Sequence, residues 1–109
     1  MRIAVLLASF LAVPAFAVDA LGARGFLTDL EVNTSSADTY LQYHGRIAVD
    51  VVGNSVEYRW GGTSCGSRVL TDAQVGLLQS ALESGTPVTP RWVLGQGTVR
   101  CLIGFKVSA

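Results

Sequence analysis

RIAVDVVGNSVEYRW, Arg46 to Trp60, is the stretch that decides the fold of this chain. Two alternating arms flank Gly53-Asn54, the pattern of a β-hairpin. With Gly53-Asn54 as a two-residue turn, Val51 faces Val56, Val49 faces Tyr58 and Ile47 faces Trp60. All six then share one face, and a one-residue slip would turn one arm's set to the other face. Arg46, Ala48, Asp50, Glu57 and Arg59 take the opposite face, where Asp50 stands across from Glu57, a mildly unfavourable pair.

Working outward, Gly61 to Ser67 reads as a loop by composition. A helix follows. Thr71 is its N-cap, Gln74 completes a capping box, and Leu70 and Val75 sit at the staple positions. Val75, Leu78 and Leu82 form its apolar stripe, widened by Leu77 and Ala81. Gly85 ends it and Pro87 prevents its resumption. Gly76, unfavourable inside a helix, is expected where the helix comes close to the sheet. A second hairpin runs from Val88 to Leu94 and from Val99 to Val107. Matching apolar parity on its two arms requires an even loop, with Trp92 opposite Cys101 and Leu94 opposite Val99. Val99, Cys101, Ile103, Phe105 and Val107 are then the inward set. Pro90 cannot donate to a ladder, so its arm is expected at an edge or bulged there.

Upstream of the first hairpin, Phe26 opens a half-buried strand in which Phe26, Leu30 and Val32 share a parity. Asn33 to Ser36 breaks it, and Asn33-Thr34-Ser35 matches the N-glycosylation acceptor pattern. Tyr40 to His44 is expected to be extended, and residues 18–25 a mobile arm. The whole reads as an α+β domain: a small antiparallel sheet of two hairpins plus an N-terminal strand, one α-helix on its apolar face and one disulfide.

The first seventeen residues read as an address. Arg2 precedes an apolar run from Ile3 to Val13, Pro14 breaks it, and Ala15-Phe16-Ala17 is a small-x-small cleavage pattern. The run is too short to span a bilayer. Residues 1–17 are therefore a cleavable signal peptide, and 18–109 a single exported domain, secreted or periplasmic. No cysteine for a lipid anchor follows the cleavage site, so the mature form is expected to carry no membrane anchor. Cys65 and Cys101 are the two cysteines, and in an oxidising compartment they are expected to pair. Closing that loop stabilises the fold by about 4 kcal/mol in the chain-entropy model.

Function is less legible. The formal net charge of zero argues against nucleic acid as a partner. His44 and the scattered carboxylates have no metal-ligand spacing, and no phosphate loop or dinucleotide fingerprint exists, so no metal or cofactor is expected. No nucleophile elbow surrounds any serine, and the carboxylate pairs Asp29 with Glu31 and Asp50 with Glu57 fall on solvent faces. No catalytic residue is assigned. Tyr58, Trp60 and Trp92 share the valines' parity and read as core. Arg46, Arg59, Arg91, Arg100 and Lys106 all take outward parity, a cationic face suited to an anionic polymer or an acidic protein surface. The leading reading is thus a non-catalytic binding module of unknown partner. The alternative is a small serine-protease inhibitor presenting Arg68 on a loop braced by Cys65. An enzyme built on His44 comes third. Mass spectrometry of protein recovered outside the cytoplasm is expected to find Val18 at the N-terminus; recovery of chain still beginning at Met1 contradicts the signal reading.

Overall fold

A computed structural model describes residues 19–109, so the expected signal peptide lies outside the described residues. The strands are β1 (Ala20–Leu21), β2 (Phe26–Val32), β3 (Gly45–Val51), β4 (Asn54–Trp60), β5 (Val88–Leu94) and β6 (Arg100–Val107). A 3₁₀ turn (Asp38–Leu41) lies between β2 and β3, and two helices, α1 (Gly62–Cys65) and α2 (Asp72–Ser84), between β4 and β5. The α+β class, the long helix and the crosslink are as the sequence led us to expect.

The strand order is β1-β5-β6-β4-β3-β2, antiparallel throughout except for a parallel contact between β4 and β6. The strands at the two ends of that order are neighbours in the chain. Gly25, between them, donates to Val88 O at 3.0 Å and accepts from Val88 N at 2.8 Å. One bent run, 20–32, therefore pairs with β5 by its first part and with β3 by its last. The sheet curls back on itself as a small barrel. Five-stranded barrels include the OB-folds, an architecture that by itself assigns no function. Residues 19–25, expected as a mobile arm, are instead tied to β5.

Leu27, Ile47, Val49, Tyr58, Trp60, Val88 and Leu102 fill the interior, and α2 lays Leu78 and Ala81 against them. Ile47, Leu78 and Leu102 are fully buried, so truncating any of them to alanine costs about 2–5 kcal/mol. In β2 the register shifts between Leu27 and Asp29. This bulge puts Leu27 and Leu30 inward and leaves Phe26, expected inward, half exposed.

The helix is as expected at both ends. Thr71 Oγ1 accepts from Gln74 N at 3.2 Å, Gln74 Oε1 accepts from Thr71 N at 2.8 Å, and Gly85 closes it in the left-handed region at φ 68°. Two details differ. Leu77 is exposed, and Gly76 faces open space rather than the sheet. Gly61 to Ser67 is not wholly a loop, because Gly62–Cys65 forms one helical turn. The stretch Tyr40 to His44 is not extended either. The 3₁₀ turn stacks Tyr40 on His44, with ring centroids 4.0 Å apart.

Both hairpin registers depart from the expected ones. In the first, Ile47 pairs with Tyr58, Val49 with Val56 and Asp50 with Ser55. The turn is Val52-Gly53, one residue earlier, so each pair moves by two. An even shift preserves the faces and separates Asp50 from Glu57, which now faces Ala48. Val52 has φ 51° and Gly53 φ 85°, the backbone of a type I′ turn. A β-branched residue there is strained, which is why the sequence pattern pointed to Gly53-Asn54 instead.

In the second hairpin, Trp92 pairs with Leu102, Val93 with Cys101 and Leu94 with Arg100. The connecting loop is odd, so one arm turns over relative to expectation. Leu102 points into the barrel, while Cys101 and Ile103 point out and pack with Cys65, Val93 and Val99 in a second apolar cluster. A bulge between Arg91 and Trp92 resets the parity, so Phe105 packs against the interior. Pro90 sits beside that bulge and is no edge residue, because Gly22 N donates to its carbonyl at 2.8 Å.

The parallel β4–β6 seam rests on one ladder pair, Arg59 with Cys101. The disulfide lies on it. Cys65 and Cys101 have Cα atoms 5.6 Å apart, within the range a disulfide spans. Cys65 Sγ lies 3.5 Å from Arg59 O, and Cys101 Sγ 3.5 Å from Ser64 O. Gln96 N adds a 2.9 Å hydrogen bond to Ser64 O, tying the β5–β6 loop to α1.

Two substitutions check this description by urea denaturation. Gly76→Ala is expected to stabilise the fold by about 0.5–1 kcal/mol, since the site is helical and open. Val52→Asn is expected to stabilise it by about 1 kcal/mol, because asparagine tolerates the left-handed backbone and Val52 is 95% exposed. Destabilisation by either contradicts the local geometry.

Candidate functional site

The outer wall of β2, β3 and β4 carries a closed ionic cluster. The bulge in β2 and its pairing with β3 place Glu31 directly across from Arg46. Arg46 Nε donates to Glu31 Oε1 at 3.0 Å, with Asp29 at 3.6 Å and Glu57 at 3.5 Å from its other nitrogens. Arg59 Nε donates to Glu57 Oε1 at 2.9 Å, and its guanidinium lies 4.4 Å from the centre of the Tyr43 ring. Tyr43 OH in turn donates to Glu31 Oε2 at 3.3 Å. Burial works against the charge on Arg46, but the Glu31 hydrogen bond and the charges of Glu57 and Glu31 outweigh it and raise its pKa. The pairing of β2 with β3 thus brings three carboxylates to two arginines, and this part of the wall is not cationic.

The other three expected cations lie elsewhere. Arg100 pairs with Leu94, on the face of Trp92, and its guanidinium lies 5.3 Å from the Trp92 ring centre. The odd loop therefore removes Arg100 from the outward set. Arg91 and Lys106 do lie outward, on β5 and β6. With Leu21, Thr89 and Phe105 they line a depression of about 370 Å³. Arg91 has one ion pair, 3.6 Å to Asp19, with both groups about half exposed. Lys106 makes no ion pair among the described residues. The apolar part of this depression is invisible to strand parity, because Leu21 arrives from β1, a segment with no strand signal in the sequence.

His44 stacks on Tyr40, and its ring also lies against Gly61, where a Cβ would collide with it. Both contacts are packing contacts. Among the described residues no group of three His, Cys, Asp or Glu side chains could hold a metal ion. Asn33 Nδ2 donates to Tyr43 O at 3.3 Å, which holds its amide against the chain. Arg68 is exposed, yet its N–H donates to Cys65 O at 3.2 Å and its carbonyl accepts from Gly61 N at 2.7 Å. A substrate-like loop needs that backbone free to pair with a protease, and here it is spent on holding α1 to β4.

Comparison with protein-family models, with characterised proteins and with solved structures finds no match.

Arg46→Met leaves three carboxylates without their shared cation; all are partly exposed, so a loss of only about 1 kcal/mol is expected, shrinking further in high salt. A salt-independent loss contradicts the ionic account. Tyr58 is buried, and burial pushes its hydroxyl pKa up although Arg100 pulls it the other way. Ionising it costs more in the folded chain than in the unfolded one. Its contribution is therefore full below about pH 10 and is lost as the pH climbs beyond it. Denaturation followed from pH 8 to 11 is expected to show this loss, reduced in Tyr58→Phe; identical profiles contradict it.

Proposed function

We propose that this chain is an exported, non-catalytic binding module that holds an anionic partner at Arg91 and Lys106. One observation carries the reading. Of the five cations assigned outward parity, Arg46 and Arg59 are occupied by carboxylates and Arg100 lies over Trp92, whereas Arg91 and Lys106 flank a depression. The Asp19 pair offers little competition, since an ion pair between half-exposed groups contributes about 0–1 kcal/mol. A disulfide is compatible with an oxidising compartment, which supports export. Among the described residues no helix is long and apolar enough to cross a membrane. The packing roles of His44 and the ionic engagement of Glu31 and Glu57 favour binding over catalysis.

The test is capture of partners from the native envelope or medium by the tagged mature protein. Wild type and Arg68→Ser are expected to retain the same partner. Arg91→Ser/Lys106→Ser is expected to lose it, as is wild type when salt rises from about 0.1 M to 1 M. Undiminished capture by the double variant contradicts the assignment. Loss of a protease partner in Arg68→Ser alone favours the inhibitor reading instead.

A further inference from the structure

We infer that the depression at Arg91 and Lys106 takes an organic monoanion with an apolar body, of the acyl-chain carboxylate class. This rests on the reading of those two cations as the contact site and adds the chemistry of what they hold. Three features carry it. First, the charges are paired across the depression: Lys106 is the cross-strand partner of Thr89, and Arg91 that of Gly104. Arg91 and Lys106 are therefore diagonal neighbours on one face, a spacing long side chains can span, and Thr89 lines the same depression. Second, the rest of the lining is apolar. Leu21 is 67% exposed, although it is held in register opposite Arg91, and Phe105, partly buried against the interior, borders the depression. A polyanion such as an acidic polysaccharide would leave this apolar surface unused, whereas an acyl chain covers it. Third, Gly104, the cross-strand partner of Arg91, leaves the outer surface beside that cation open. A Cβ built there meets only Arg91, at 3.9 Å from its Cβ and its Cδ, so nothing in the barrel demands glycine at that position. The volume of about 370 Å³ lies at the small end of ligand sites.

The experiment uses the mature, oxidised protein and follows backbone amide resonances during titration with octanoate, octan-1-ol and acetate. Octanoate is expected to shift the signals of Leu21, Thr89, Arg91, Phe105 and Lys106 saturably. Its apparent Kd is expected to be at least about tenfold lower than that of either control, since one lacks the charge and the other the chain. Gly104→Val, which sets a branched side chain against Arg91, and Arg91→Ser/Lys106→Ser, which removes the charges, are each expected to weaken octanoate by about tenfold or more. If acetate matches octanoate at these residues, the apolar body is irrelevant: the inference fails while the anionic contact site stands. If octan-1-ol matches octanoate, the charges are irrelevant and the inference fails. If no anion shifts these residues, inference and site fail together.

Discussion

The fold depends on one seam. A sheet becomes a barrel only where its last pairing is made, and here β4 and β6 meet in parallel through a single ladder pair, Arg59 with Cys101. The other long strand pairs share six or seven residue pairs each. A contact this short gains little from backbone hydrogen bonds. The covalent bond from Cys65 to Cys101 holds α1 across it from outside, and the hydrogen bond from Gln96 to Ser64 fastens the β5–β6 loop to the same turn. The interior cluster draws on β3 and β4 from one side of the seam and on β5 and β6 from the other. Without a closed seam the two halves would still be hairpins, but they would not share a core.

Closure also divides the outer wall. On the side of β2, β3 and β4, the bent first strand delivers Asp29 and Glu31 to Arg46, and the surface neutralises itself. On the side of β5 and β6, the matching strand is only Ala20–Leu21, which brings one leucine and no acid of its own. Asp19, just before it, is the single carboxylate paired there. The asymmetry between the two halves of one bent strand thus decides where positive charge stays available. The proposed site is a consequence of barrel topology rather than of any local motif.

What was legible in the sequence was what local chemistry determines. Thr71, Gln74 and Gly85 mark the ends of α2 because caps involve only neighbouring residues, and the structure keeps all three. Ile47, Val49, Tyr58 and Trp60 read as core because period-two alternation survives an even register shift. The turn itself is not legible, since Val52 occupies a backbone region that β-branched residues avoid. In the second hairpin an odd loop and a bulge each invert parity, so Arg100 and Cys101 changed faces although the strands were correctly located. Pairing of β1 with β5 left no trace in the sequence, because a two-residue strand has no period. For the same reason the site was half legible. Arg91 and Lys106 were readable as outward cations, but Leu21 beside them and the carboxylates around Arg46 required the strand order.

The central claim is that the crosslink at Cys65 and Cys101 keeps the β4–β6 seam closed. Hydrogen exchange on the mature protein, compared between wild type and Cys65→Ala/Cys101→Ala, tests it most directly. The account predicts a stability loss of up to about 4 kcal/mol, with protection lost first at the amides of residues 59–61 and 100–102 while α2 and the β3–β4 hairpin hold longest. Unchanged stability with uniform exchange in the two forms would contradict it.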